Sequence, residues 1–190
     1  VPFFALGVAG LLVSGSVLSV ANAYIAFFSV LLIWGWIELA FLSGIITGPE
    51  KRPCPDELSG WARFVRAWHT VSYHELLLLG GLAVVTVTTA TAENSFGFWT
   101  YLILFAARIS AKLNFFFGVP RINTEFVPTP LHHLKSYFRQ GNVTLAFVLG
   151  VTFLSFATAC FAERLYSAET AQTQVGFALL LALSALATIE

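Results

Sequence analysis

Apolar residues fill long, uninterrupted stretches of the chain, and short polar segments separate these stretches. Each stretch runs for about 20 residues without alternating between apolar and polar side chains, which is typical of membrane-spanning helices and not of barrel strands. We place six spans, at residues 2–21, 24–46, 71–91, 96–118, 142–163 and 174–190. The pattern therefore predicts an all-α, polytopic transmembrane helical bundle that forms a single domain.

The segments between the predicted spans differ in length and character. Asn22-Ala23 is so short that spans one and two are expected to form a hairpin. Residues 61–70 contain two tryptophans and two arginines, a composition that suits the headgroup layer, so we predict a short interfacial helix there. Residues 119–141 form a longer loop with three prolines.

The composition supports a membrane protein. Only 11% of the 190 residues are charged and 57% are hydrophobic. Soluble domains carry roughly 25% charged residues, so a soluble protein of this composition would expose too much apolar surface. The net charge is zero, which argues against a nucleic-acid partner. The chain starts at Val1-Pro2, contains no methionine and stops inside an apolar run, so we expect it to be an internal piece of a longer polypeptide.

The distribution of lysine and arginine predicts the orientation of the spans. Seven of these residues follow spans two and four, one follows span five, and none follows spans one and three. Because cytoplasmic loops are enriched in lysine and arginine, residues 47–70 and 119–141 are predicted to be cytoplasmic. The alternation of basic and non-basic loops also supports the number of spans.

Four charged residues lie inside the predicted spans, where a charge is costly unless it is paired. Glu38 lies in span two and Glu75 in span three, and Arg108 and Lys112 share one face of span four. Since two acids balance two bases, we predict a buried polar cluster that joins these three spans, with Asn114 beside it. A structural role in helix packing is the favoured interpretation. A binding site for a ligand or a pigment's polar group, and a proton or ion path, are the alternatives.

Two histidines are candidates for pigment ligands, although a hydrogen-bonding role is the favoured interpretation for them. A neutral imidazole can bind the magnesium of a chlorophyll or the iron of haem. His74 is the best placed, near a membrane boundary, and His69 is the second candidate; five residues separate them, so they do not share a helix face as a metal pair would. No metal-ligand set, nucleophile–base pair or phosphate-binding glycine loop is recognisable, so we predict no metal site, no catalytic residue and no enzyme.

Several strings occur in a fixed order along residues 24–140. They include Trp34-Gly35-Trp36-Ile37-Glu38, Pro53-Cys54-Pro55, His74-Glu75-Leu76 and Arg108-Ile109-Ser110-Ala111-Lys112-Leu113-Asn114. Together they resemble the photosynthetic complex assembly protein 2 family, the PuhE-type proteins of purple phototrophic bacteria. The last string is the most specific, because such a series of polar residues is unusual inside a span. Its charged residues are also those of the predicted polar cluster.

The resemblance implies a gene beside those of the reaction centre and a location in the bacterial inner, intracytoplasmic photosynthetic membrane. It implies a non-enzymatic assembly factor, or an accessory subunit that stays bound to the reaction centre–light-harvesting complex. The partners would be the lipid bilayer and reaction-centre or light-harvesting subunits. No intrinsic cofactor is predicted, but bacteriochlorophyll, carotenoid, quinone or lipid are candidates to fill grooves between helices. The alternative functions are a small transporter or pigment-handling carrier that uses the polar cluster and, with less support, an intramembrane enzyme.

Overall fold

The computed structural model describes residues 2–189, and all regular secondary structure in that range is helical. The elements are α1 (Pro2–Ser14), α2 (Val20–Leu42), α3 (Gly60–Thr89), α4 (Phe96–Phe117), a 3₁₀ helix (Thr129–Tyr137), α5 (Leu145–Tyr166) and α6 (Ala171–Ile189). The predicted all-α helical bundle is therefore confirmed. Helices α4, α5 and α6 lie within a few residues of the predicted spans 96–118, 142–163 and 174–190.

The number of full-length spans differs from the prediction of six. Within residues 2–189, five helices (α2 to α6) are long and apolar enough to cross a membrane. The described part of α1 has 13 residues. At a rise of 1.5 Å per residue this is about 20 Å, less than the roughly 30 Å of a bilayer's hydrocarbon core. The structure thus has five helices of spanning length and one shorter apolar helix.

The predicted hairpin of the first two helices is confirmed, but the predicted position of its turn, Asn22-Ala23, is wrong, because the chain turns earlier, between Ser14 and Val20. Ser19 is the N-cap of α2, and its side-chain oxygen accepts a hydrogen bond of 3.1 Å from the backbone N–H of Asn22. Such a cap satisfies an N–H that no residue of the helix itself can bond. Apolar residues on both sides of the cap conceal this turn in the hydropathy pattern.

The separate interfacial helix predicted at residues 61–70 is also wrong. These residues are the first turns of α3, which continues without a break for 30 residues, or about 45 Å. Polar residues give way to apolar ones near Thr70, but no proline interrupts the helix there, so the change in composition does not end it. The exposed Trp61 and Trp68 lie on the part of α3 that extends beyond the apolar run.

Helices α2 and α4 form the centre of the bundle. The first contacts α1, α3, α4 and α6, and the second contacts α2, α3, α5 and α6. Between α1, α2, α3 and α4 lies a core of fully buried residues: Leu11, Ala26, Val30, Ile33, Ile37, Leu78, Val85 and Tyr101. Helix α1 packs closely on α2 at Gly7, where an added Cβ would lie 2.6 Å from the carbonyl oxygen of Ser29. Small residues are the usual means of such close approach in membrane bundles.

Asn94 stabilises one end of the bundle by hydrogen bonds. We call this end the hairpin end, because it carries the α1–α2, α3–α4 and α5–α6 connections. This side chain is almost fully buried. Its amide donates hydrogen bonds to the carbonyl oxygens of Ser14 (3.2 Å) and Asn22 (2.9 Å), and its oxygen accepts one from the N–H of Phe96 (3.1 Å). One side chain thus joins the end of α1 to the starts of α2 and α4.

We expect Asn94→Ala to lower the free energy of unfolding by about 2–4 kcal/mol, because it leaves buried backbone groups without partners. Chemical unfolding in mild detergent, followed by tryptophan fluorescence, measures this change. The control is Asn142→Ala, at an exposed asparagine in the loop before α5. Equal stability of the two variants would contradict the role given to Asn94.

Candidate functional site

The structure brings the four predicted intramembrane charges together between α2, α3 and α4. The guanidinium of Arg108 donates from Nη2 to Oε2 of Glu38 at 2.6 Å. The ammonium of Lys112 donates to the Glu75 carboxylate. Each base on α4 therefore has its own acid, one on α2 and the other on α3. The acids and bases that balance in the sequence are two ion pairs in the structure.

His74 connects the two ion pairs and is completely buried. Its Nδ1 lies 2.9 Å from Nζ of Lys112, and its Nε2 lies 3.5 Å from Oε1 of Glu38. The five residues Glu38, His74, Glu75, Arg108 and Lys112 are called the charged network from here on. His74 is thus placed as a link between the two ion pairs, with Nδ1 at Lys112 and Nε2 directed toward Glu38.

The contact with Lys112 favours one tautomer of a neutral His74 imidazole. A lysine ammonium can only donate, so Nδ1 accepts the bond from Lys112 and the ring proton sits on Nε2, facing Glu38. A neutral imidazole keeps the charged network at two positive and two negative charges. A protonated imidazole would place a third positive charge beside the lysine. The arrangement is therefore electrically neutral within the bundle.

Phe41 covers the charged network from the α2 side. The centroid of its ring lies 4.2 Å from that of the His74 imidazole. The guanidinium carbon of Arg108 and the ammonium of Lys112 lie 5.7 Å and 5.6 Å from the same centroid, within cation–π range. Sequence reasoning gave this residue no role, since a phenylalanine in an apolar span carries no signal of its own.

Asn114 and His69, the other two predicted site residues, lie outside the charged network. Asn114 lines a cavity, and its buried Oδ1 has no hydrogen-bond partner among the described residues. His69 is exposed on the surface of α3, and its carbonyl oxygen accepts a bond from the N–H of Glu50. The predicted histidine candidates are thus placed quite differently, one inside the network and one at the surface.

Two cavities flank the C-terminal half of α4. The larger, which we call the lateral cavity, has a volume of about 720 Å³ and lies between α2, α4, α5 and α6. The smaller, of about 360 Å³, lies between α3, α4 and the loop that contains the 3₁₀ helix. Arg108 borders both cavities, Glu38 the larger one and Lys112 the smaller one. The charged network therefore separates two open spaces.

The opposite end of the bundle, here called the basic end, is closed by residues 43–59 and 118–144. Arg63, at the start of α3, donates to the carbonyl oxygens of Tyr137 (2.6 Å) and Phe116 (3.3 Å). The N–H of Cys54 donates to the hydroxyl of Ser136 at 2.8 Å. These bonds hold the two loops against each other and against the ends of α3 and α4.

Gly48 and Glu50 determine how the loop of residues 43–59 packs against α3. A Cβ at Gly48 would overlap the backbone of His69, so only glycine lets the loop lie this close. Glu50 then pairs with Arg66 at 3.1 Å. The N–H of Arg52, which donates to Glu50, holds the pKa of this carboxyl group below its usual value, and the charge of Arg66 lowers it further.

A model of the family described as "Protein of unknown function (DUF3623)" matches residues 1–190. The chain belongs to the DUF3623 family. A relative in Rhodobacter capsulatus, described as an uncharacterized 30.4 kDa protein in the puhA 5′ region, is 48% identical over 172 residues. That alignment covers 90% of this chain and 63% of the relative, so the chain spans less than two thirds of the relative's length. No solved structure matches this DUF3623 chain.

We expect Lys112→Met to lower the free energy of unfolding of this DUF3623 protein by about 3–5 kcal/mol, because it leaves Glu75 charged and unpaired inside the bundle. Adding Glu75→Gln should restore much of the loss. Chemical unfolding in mild detergent measures both effects.

Arg164→Met is the matched control for this experiment. Arg164 pairs with Glu163 at 3.8 Å, but both side chains are well exposed at the hairpin end. Its substitution should lower the free energy of unfolding by less than about 1 kcal/mol. A double variant whose loss of stability equals the sum of its two single variants would refute the pairing of Lys112 with Glu75.

Proposed function

We propose that this chain is the membrane-embedded part of a non-enzymatic assembly factor or accessory subunit of a photosynthetic reaction centre–light-harvesting complex. One observation carries the proposal: a relative that is 48% identical lies in the puhA region, a photosynthesis gene region. The resemblance of the ordered sequence strings to PuhE-type proteins points the same way. The proposed location is the bacterial inner, intracytoplasmic membrane.

The geometry of the bundle supports a role in helix–helix docking. The charged network is neutral and its acids and bases are paired with one another, which suits a device that fixes the packing of α2, α3 and α4. Large apolar side chains are exposed on α5, including Leu149, Phe153 and Phe156. In a membrane these side chains would contact lipid or the helices of other subunits.

A second candidate function is a pigment-handling or lipid-handling carrier. The observation that favours it is the lateral cavity, which reaches from the ends of α4 and α6 to Glu38 and Arg108. Bacteriochlorophyll, carotenoid, quinone and lipid are the candidate occupants. A carrier would release its cargo to other proteins, whereas an accessory subunit would stay with the complex.

The proposed orientation places the basic end in the cytoplasm. It has seven of the ten lysine and arginine residues in its loops and first helical turns, whereas the hairpin end has Arg164. In the protein that carries both Cys54→Ser and Cys160→Ser, we expect Glu169→Cys to react with a membrane-impermeant maleimide in intact spheroplasts, and Asp56→Cys to react only after the membrane is broken. Both sites are exposed, at opposite ends of the bundle. Labelling of Asp56→Cys in intact spheroplasts would refute this orientation.

We expect the tagged full-length protein, expressed at its native level in its phototrophic host, to co-purify with reaction-centre or light-harvesting subunits in mild detergent. Mass spectrometry identifies the subunits, and absorption spectroscopy detects bound pigment. A tagged, unrelated multi-pass protein from the same membrane is the control.

Co-purification measured at different growth phases distinguishes an assembly factor from an accessory subunit. An assembly factor should co-purify mainly while the complexes are being made, and an accessory subunit should do so at all times. If the protein migrates free of these subunits in every phase, and its deletion leaves the level of the complexes unchanged, the proposed function is wrong.

A further inference from the structure

The lateral cavity has the dimensions and walls of a binding site for a small amphiphile. Its volume of about 720 Å³ falls within the range of small-molecule sites. Along α4 the lining extends from Leu104 to Phe115, about 17 Å at 1.5 Å per residue. Most of its wall is apolar, with side chains from α4, α5 and α6: Leu104, Phe115, Phe147, Val151, Leu154 and Leu183.

Three buried polar atoms of lining residues lack hydrogen-bond partners, and one of them, Oε1 of Glu38, is an acceptor that lies 3.5 Å from Nε2 of His74. Nε of Arg108 is a donor and Oδ1 of Asn114 is an acceptor, and neither atom has a partner within the described chain. Buried polar groups are nearly always bonded, so such a pair on residues of one cavity wall points to a missing partner.

The charge of the wall determines what that partner is. The guanidinium of Arg108 is already neutralised by Glu38 at 2.6 Å, so no anionic ligand is required. The ligand has to accept a hydrogen bond from Nε and donate one to Oδ1, through one polar group or two. A hydroxyl does both, whereas a ketone only accepts and an ammonium only donates.

The rim shows how such a molecule would enter. Phe147 of α5 and Leu186 of α6 border the cavity and are exposed on the outer surface of the bundle. In a membrane this surface faces the acyl chains, so a lipid-soluble molecule can pass between these two helices without crossing water.

We propose that the lateral cavity binds a neutral, hydroxyl-bearing amphiphile, with its hydroxyl groups bonded to Arg108 and Asn114 and its apolar body along α4, α5 and α6. Acyl lipids with free hydroxyl groups and isoprenoid quinols share this chemistry. This proposed binding site does not depend on the proposed association with photosynthetic complexes.

Native mass spectrometry of the full-length protein in mild detergent tests the proposal with two pairs of probes. Monoolein represents the acyl lipids and is compared with methyl oleate, which has no hydroxyl. Decylhydroquinone represents the quinols and is compared with its dimethyl ether. At least one hydroxyl probe should bind about tenfold more tightly than its hydroxyl-free counterpart, and the pair that does so identifies the source.

Three variants link this preference to the cavity. Asn114→Leu should bring the affinities of the hydroxyl probe and its counterpart close together, since it removes the acceptor but leaves the charged network intact. Ala107→Phe, which fills the lateral cavity, should abolish binding of both. Ala159→Phe makes the same change on the exposed surface of α5 and should bind like the wild type.

Two results would overturn the site. One is equal binding, or no binding, of both members of both pairs by the wild-type protein, as expected if water alone bonds Arg108 and Asn114. The other is wild-type binding by a folded Ala107→Phe variant, which would place the probes elsewhere. Thermal unfolding of each variant shows that it is folded. If Asn114→Leu does not fold, Ala107→Phe with its control decides the question.

Discussion

Charges that lie among apolar helices have to find partners inside the protein, and this constraint organises α2, α3 and α4. In lipid no water can solvate an unpaired carboxylate or ammonium, so a packing that separated Glu38 from Arg108, or Glu75 from Lys112, would be strongly disfavoured. Apolar contacts alone leave several rotations of a helix similar in energy, because lipid is as apolar as leucine. The two ion pairs on α4 remove this ambiguity by fixing which face of α4 turns to α2 and α3.

The two halves of α4 perform different tasks as a result. Its N-terminal half, from Phe96 to Ile103, is tightly buried, and the hydroxyl of Tyr101 reaches the carbonyl oxygen of Leu78 at 2.8 Å where Gly81 leaves room. Its C-terminal half carries the charged residues and lies between two cavities. Hydrogen bonds between backbone and side chains fasten the bundle at Asn94 and across the loops of the basic end. The space beside the charged network can therefore stay open without loosening the fold.

The sequence predicted the features that follow from the energetic cost of an unpaired charge in lipid, and missed those that follow from local backbone geometry. Unpaired charge in lipid is expensive, so Glu38, Glu75, Arg108 and Lys112 could be assigned to one cluster from their signs alone. Which acid meets which base depends on the rotation of each helix, and no pattern in the chain shows it. Hydropathy is averaged over windows that are longer than a helix cap. It therefore missed the turn at Ser19 and placed a break within the continuous helix α3. His74 was named only as a candidate pigment ligand, since its position between two ion pairs is visible only in three dimensions.

The packing role of the charged network and the ligand site are two consequences of one side chain. Arg108 is held in place by its bond from Nη2 to Glu38, and this bond also fixes the direction of Nε. A donor that is already immobilised loses little conformational entropy when a ligand accepts from it, so the ion pair that stabilises the bundle also preorganises the cavity wall. Phe147 and Leu186 at the cavity mouth are exposed on the outer surface of α5 and α6. If the proposed docking to reaction-centre or light-harvesting subunits uses this surface, the docked subunit would close the lateral cavity, and docking and ligand exchange would be coupled through α5 and α6.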